Sequence, residues 1–241
     1  MTMQIASPET RNPKDVGKMF ARVAPSYDKI NRAMCFGMDV CWRKTLAKAA
    51  VKCAGAGEIL DLACGSGDVA MSILGISPQQ KITCADFCPE MLGLAKSKIL
   101  NARSPCNVKF EIADAANLQF ESEKFSAITI AFGFRNFKDR EICLKEISRV
   151  LKPNGGLFIL EVARAPKCIE WAQNIFMEQF VPRIAARFGG DKSDYEYLAK
   201  TTRAFPRKKE LNKLIESCGF KNAKTKTFAF GCVALTEAQK I

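Results

Sequence analysis

Chemistry is first visible in the stretch ILDLACGSGDVA, residues 59–70. An apolar run there ends in Gly65-Ser66-Gly67, and the small residues Gly65, Gly67 and Ala70 match the spacing G-x-G-x-x-G/A. Such glycines let a chain turn tightly from strand to helix and bring backbone close to a ligand. The pattern alone fits a dinucleotide, but the acids around it point elsewhere. Asp61 falls inside the first apolar run and Asp68 in the first turn of the following helix. Asp86 and Asp114 end the second and third runs. An acid about 20 residues past the glycines, the place of Asp86, suits ribose hydroxyls. Asp68 would set a carboxylate against a pyrophosphate, which Coulomb repulsion disfavours. A ligand with an adenosine, an ammonium and a sulfonium, and no phosphate, matches this acidic surround. S-adenosylmethionine is such a ligand, and methyl transfer is the chemistry expected on the loop.

The loop after the fourth apolar run faces the transferred methyl and reads Phe132-Gly133-Phe134-Arg135-Asn136-Phe137. It lacks the Asn/Asp-Pro-Pro-aromatic string of amine methyltransferases. The only Pro-Cys pair, Pro105-Cys106, precedes the third run and is out of place for a cytosine C5 nucleophile. An apolar loop with one arginine and one asparagine suits an apolar acceptor whose oxygen must be stabilised. Arg135 would supply the cation and Asn136 a hydrogen bond to the same oxygen. Core phenylalanines beside a surface arginine would give the same string. Histidine is absent from the chain, so the proton must go to water, a carboxylate or a tyrosine.

These residues need elements to hold them. Apolar, β-branched runs at 58–64, 81–87, 108–114, 125–133 and 156–162 alternate with helical patterns at 67–75, 89–101 and 139–151. Strands at 224–230 and 232–236 read as a terminal antiparallel pair. The expected fold is α/β: a doubly wound, mostly parallel seven-stranded sheet with a C-terminal antiparallel pair, in one domain over 1–241. It would carry an N-terminal helical extension over about 1–57 and a helical insertion over about 164–205. Within the insertion, 166–188 places Ile169, Ala172, Phe176, Phe180, Ile184 and Phe188 near one helical face beside Arg183 and Arg187, with a kink expected at Pro182. That face suits a lid, a surface-docking helix or an ordinary core helix.

The 241 residues carry 37 Lys+Arg against 25 Asp+Glu, a net charge of +12. Such a charge favours an anionic partner or simply solubility. No arginine-rich tail or nucleic-acid module is visible, so no nucleic acid is expected, and an RNA methyltransferase or RNA-binding module stands only as the competing class. Eleven cysteines form no C-x-x-C pair, and histidine is missing, so no metal site is expected. The N-terminus has no apolar secretion segment, and no apolar run approaches the length of a bilayer span. The expected location is cytoplasmic, with thiols reduced.

Several motifs together resemble the ubiquinone/menaquinone biosynthesis C-methyltransferases. Tyr27-Asp28-Lys29-Ile30-Asn31 and Met34 through Arg43 are similar to the N-terminal signature Y-D-x-M-N, S-x-G, H-x-x-W of that family. Ala131 through Asn136 resembles its F-G-x-R-N, and Arg149 through Glu161 its R-V-L-K-P-G-G ending in L-E. Tyr195 through Leu198, Phe205-Pro206 and Cys218-Gly219-Phe220 follow its C-terminal pattern. Cys35, Asp39, Ala131 and Asn154 depart from the usual Ser, His, Ser and Gly. The resemblance implies methylation of a ring carbon of a polyprenylated quinol, demethylmenaquinol first and a ubiquinone precursor second. It also implies peripheral contact with an anionic membrane surface and leaves a homo-oligomer open. Ser66, Asp86, Asp114 and Ala115 match the family's cofactor contacts, with Gly65 and Gly67 giving backbone approach. Tyr27 would close over the methyl donor.

Overall fold

The computed structural model describes residues 13–102 and 107–241. Pro105, Cys106 and residues 1–12 of the expected extension lie outside the described residues. The five apolar runs become β1 (Ile59–Leu62), β2 (Ile82–Asp86), β3 (Val108–Ile112), β4 (Phe125–Ala131) and β5 (Leu151–Val162); β6 (Phe220–Phe228) and β7 (Val233–Lys240) follow. One sheet results, in the order β3-β2-β1-β4-β5-β7-β6. Strands β1 to β5 are mutually parallel, and β7 runs antiparallel to both β5 and β6.

Side chains along the central strands alternate between two cores, as a strand period of two requires. Leu60, Ile128, Leu157 and Ile159 point to one core, while Ile59, Ala127, Phe158 and Leu160 point to the other. Helices cover both faces. Before the sheet come α1 (Pro13–Val23), α2 (Tyr27–Met34) and α3 (Asp39–Ala54), and the crossovers supply α4 (Asp68–Leu74), α5 (Pro89–Asn101) and α6 (Arg140–Val150). Trp42, Leu46, Ala47 and Ala50 form the buried stripe of α3. Cys143, Leu144, Ile147 and Val150 form that of α6, where Asp139 caps the helix by accepting from the Ile142 N–H at 3.0 Å. Each fully buried Leu or Ile in these stripes contributes roughly 1.5–3 kcal/mol.

The order reverses between β1 and β4, whose crossovers leave to opposite faces of the sheet. A crevice opens there, beyond the carboxyl ends of the strands. The loops at 63–67 and 132–137 border it, and α1 and α2 fold over it.

The insertion departs from expectation. It forms α7 (Glu170–Ile175), a π-helical turn over Phe176–Phe180, α8 (Val181–Arg187) and α9 (Lys192–Arg203), followed by α10 (Lys208–Ser217). The wide turn directly precedes Pro182, which sits in the first turn of α8, where its missing N–H costs no helical hydrogen bond. It also rotates the helix, so Gln173, Met177, Val181 and Ala185 face inward while Phe180 and Phe188 stay exposed. Among the described residues no helix is long and apolar enough to cross a membrane, every cysteine is a free thiol, and no acid or thiol cluster could hold a metal ion.

Candidate active site

Two cavities meet in the crevice. The first, of about 280 Å³, is walled by Gly65 after β1, Asp86 and Phe87 after β2, and Asp114 and Ala115 after β3. Val16, Gly17 and Phe20 of α1 close it from above. Asp86 ends β2 with each carboxylate oxygen accepting one backbone N–H, from Gly65 at 2.8 Å and from Cys88 at 2.9 Å. The carboxylate is thus fixed, and each oxygen keeps a lone pair for a ligand hydroxyl. Burial raises its pKa, and the backbone donors offset part of that. Asp114 lies just past β3, held by the Ala116 N–H at 2.9 Å. Gly65 has φ +55°, and an added Cβ would stand 3.4 Å from Met91 and 4.0 Å from Tyr27, inside the space a ligand needs.

Several expected residues stand elsewhere. Gly67 does not line this cavity; its φ is +84°, and an added Cβ would meet Ala95 at 3.0 Å, so its work is the close approach of α4 to α5. Ser66 donates to Asp28 at 2.5 Å and, with Asp61, lines a separate polar pocket of about 20 Å³ shared with Tyr27 and Arg43. Asp68 is no bare carboxylate beside the ligand. It pairs with Lys98 at 2.6 Å and lies 3.7 Å from Arg43. The case against a pyrophosphate therefore rests on Asp86, Asp114 and Asp139, which do line the first cavity.

Strand register explains Asp61. It sits opposite Thr129 on β4, and the Thr129 hydroxyl donates to one carboxylate oxygen at 2.8 Å. The other oxygen is buried without a partner. Burial raises this carboxyl to about 7, so the pocket favours a cationic group beside it.

The second cavity, of about 500 Å³, is almost wholly apolar. Its walls come from α2 and α3, from Ile169, Phe176 and Val181 of the insertion, and from residues 229–233. Tyr27 and Phe132 line both cavities, so the two spaces touch at these rings. Phe132 holds a left-handed φ of +58°, which turns the chain out of β4 toward the crevice. Arg43 stacks over its ring at 5.2 Å.

The expected pairing of Arg135 with Asn136 does not form. Arg135 lines the apolar cavity, whereas Asn136 lines the first, where its buried carbonyl oxygen has no partner. In the 3-10 turn Phe134–Asn136 successive side chains leave in different directions, so neighbours in sequence serve different spaces. Arg135 donates to Glu161 at 2.6 Å and to the Phe132 carbonyl at 2.7 Å, while Glu161 also accepts the Arg135 backbone N–H at 3.0 Å. Burial pulls the guanidinium pKa down, and Glu161 more than restores it. The pair is close to neutral, and the Nε–H of Arg135 is left without a partner. The arginine therefore offers directed donors rather than a bare charge. Burial raises the pKa of Tyr27 despite Arg43 and Arg135 nearby. It keeps its proton at neutral pH.

Sequence reading missed Glu161, Arg43 and Asp39 as parts of the site. Asp39, standing where the resembling family has histidine, is buried and accepts from Arg32 at 2.9 Å and from Arg43. The i, i+4 spacing of Asp39 and Arg43 was the available signal.

A parallel sheet with one reversed strand, a glycine turn after β1 and a ribose-suited acid at the end of β2 define a class I S-adenosylmethionine-dependent methyltransferase. A solved methyltransferase of that kind from Thermotoga maritima has the same fold, with TM-score 0.63 and 19% identity over 93% of this chain and 99% of that one. Sequence carries the assignment further, since the model of the ubiE/COQ5 methyltransferase family matches residues 7–240, and the chain belongs to that family. It is 37% identical to a demethylmenaquinone methyltransferase of Thermus thermophilus, over 90% of this chain and 97% of that protein. It is 34% identical to a ubiquinone/menaquinone biosynthesis C-methyltransferase of Geotalea daltonii, over 96% of this chain and 98% of that one.

Proposed function

We propose that the chain methylates a ring carbon of demethylmenaquinol in menaquinone biosynthesis. The observation that carries this reading is the contact of an acidic cavity with an apolar one at Tyr27 and Phe132. S-adenosylmethionine, when bound, supplies an electrophilic methyl and departs as the neutral thioether once the ring carbon has taken it. The residues fit that cofactor. Asp86 would offer its fixed carboxylate to the ribose hydroxyls, and Asp114 with Ala115 would hold the adenine end. Asp61 would meet the ammonium from the small polar pocket, where Arg43 is also present. The unpartnered oxygens of Asp61 and Asn136 accept what a bound ligand donates.

On the other side the ring lies against Arg135. A phenol resembles Tyr, with a pKa of about 10, and its ring carbon becomes a strong nucleophile as the hydroxyl proton leaves. Arg135 donates to the developing phenolate oxygen and Tyr27 shields the junction from water. The hydroxyl proton passes to solvent, the ring proton follows after methyl transfer, and the phenolate oxygen then takes one proton back to give the quinol, a net release of one; Glu161 is occupied in holding Arg135. Alignment of carbon, methyl and sulfur supplies the larger share of the rate, up to ~7–11 kcal/mol. The extension and the insertion both serve this one methyltransferase domain, whose peripheral contact is with the cytoplasmic face of an anionic membrane.

Incubation with radiolabelled S-adenosylmethionine and a panel of quinols tests the reading. Label is expected in menaquinol from demethylmenaquinol. Transfer only to a ubiquinone precursor would reassign the substrate, and transfer to neither would overturn the reading.

A further inference from the structure

The apolar cavity opens through a mouth whose rim is unusual. Phe36 is 74% exposed and Phe230 is 90% exposed, and both line the cavity together with the half-exposed Met38. Both phenylalanines hold left-handed backbone, φ +49° and +55°. Each is followed by a glycine that is also left-handed, Gly37 at +75° and Gly231 at +94°. Tight turns of this kind favour Gly, Asn or Asp, and a bulky aromatic is disfavoured there. Exposure and backbone therefore both act against phenylalanine at these two turn tips. Stability of the free protein does not explain them, and a partner that covers them does.

We infer that this rim docks on an anionic lipid bilayer, with Phe36 and Phe230 entering the acyl region. The inference rests on the quinol reading. A long polyprenyl tail cannot fit wholly in about 500 Å³, so it must leave by this mouth. A rim set on the bilayer lets that tail stay in lipid while the ring enters the protein. Charge matches the same occupant. Pro166 packs where a side chain on Gly231 would stand, 2.8 Å away, which brings the exposed Lys167 beside the Phe230 turn. Exposed Arg183 and Arg187 follow on α8, and the whole chain carries +12. The docking surface is thus the pair of turn tips, and Phe176 of the insertion ties to it by packing 6.2 Å from Phe36.

Flotation of the full-length chain with vesicles tests this. Vesicles of phosphatidylcholine with phosphatidylglycerol are expected to carry the protein up the gradient, and phosphatidylcholine alone to carry much less. The double variant Phe36→Asn, Phe230→Asn should bind the anionic vesicles at least about tenfold more weakly, since two large apolar side chains no longer enter lipid. Asparagine accepts left-handed backbone, so the melting temperature should hold or rise. Affinity for S-adenosylhomocysteine, in the other cavity, should stay within about twofold. Unchanged vesicle binding by the variant would overturn the inference. So would a parent that ignores both vesicles, including one that self-associates through these residues. Methylation of a short-tailed demethylmenaquinol in vesicle-free buffer is read separately. Turnover there without vesicle binding sinks the rim alone, and vesicle binding without turnover sinks the substrate reading alone.

Discussion

The two cavities are built by different means. The acidic one hangs on the ends of β1, β2 and β3, where hydrogen-bonded strands fix each carboxylate and backbone N–H groups hold Asp86 on both oxygens. The apolar one meets the sheet only at the strand ends Val162 and Val233. Its walls come from α2, α3, a π-helical turn and the 229–231 turn, far apart in sequence and held by packing. The strand framework shared across methyltransferases supplies the first cavity, and segments outside that framework supply most of the second. On the proposed reading, the acceptor is selected away from the motif proposed to hold the methyl donor.

Arg135 is the residue on which that division can be broken most strongly. Arg135→Ala removes a donor to the developing phenolate, and kcat should fall by about 10²–10³, as for loss of one oxyanion donor. Affinity for S-adenosylhomocysteine should stay within a few fold, because Arg135 does not line the acidic cavity. The variant also strands Glu161, 2% exposed, as a buried charge, at a cost of roughly 3–5 kcal/mol in stability. Arg135→Gln with Glu161→Gln should recover the fold and not the rate, which separates the chemical role from the structural one. Loss of cofactor binding in either variant would erase the division.

Asp86→Ala probes the other side. Two charge-assisted hydrogen bonds to ribose, each worth roughly 1.5–3 kcal/mol, should cost about 10²-fold or more in S-adenosylhomocysteine affinity by calorimetry. The Michaelis constant for quinol, measured at saturating cofactor, should barely move. Gly67→Ala should separate glycine roles within one motif. Its added Cβ lies against Ala95, so unfolding should become easier by about 1–3 kcal/mol while cofactor affinity holds within a few fold.

The smallest expected effect is a pH dependence. Asp61 titrates at about 7 in the folded chain and near its ordinary 3.8 when unfolded. The folded state then binds the extra proton between those values, so stability falls as pH rises from about 4 through 7 and stays lower above. About 4 kcal/mol is the upper limit set by that gap, and roughly 1 kcal/mol, or 2–4 °C in melting temperature, is the expected share. The ligand-free protein should melt higher at pH 5 than at pH 8. Asp61→Asn should narrow the difference, and so should S-adenosylhomocysteine if its ammonium binds beside this carboxylate.

The acidic cavity was largely legible in the sequence because strand ends, glycine turns and spaced acids are local patterns. The order of elements, the antiparallel pair and the places of Gly65, Asp86 and Asp114 follow from periods of 2 and 3.6. What was not legible depends on distance or on one added residue. Glu161 compensates Arg135 from 26 residues away, and nothing near Arg135 announces it. Asp68 reads as a free acid until Lys98, on the next helix, is placed against it. The π-helical turn rotates the insertion and turns its predicted face into part of a cavity wall. Left-handed phenylalanines at 36 and 230 run against turn preferences, so sequence rules pass over them.

The central claim is that donor and acceptor occupy the two cavities and meet at Tyr27 and Phe132. A crystal structure with S-adenosylhomocysteine and a short-tailed demethylmenaquinone tests it most directly. The ribose should sit on Asp86 with the amino-acid end toward Asp61. The quinone ring should lie in the apolar cavity with one oxygen on Arg135, its unmethylated carbon facing the sulfur, and its tail leaving between Phe36 and Phe230. A quinone bound outside the apolar cavity, or a ring whose open carbon faces away from the sulfur, would contradict the account.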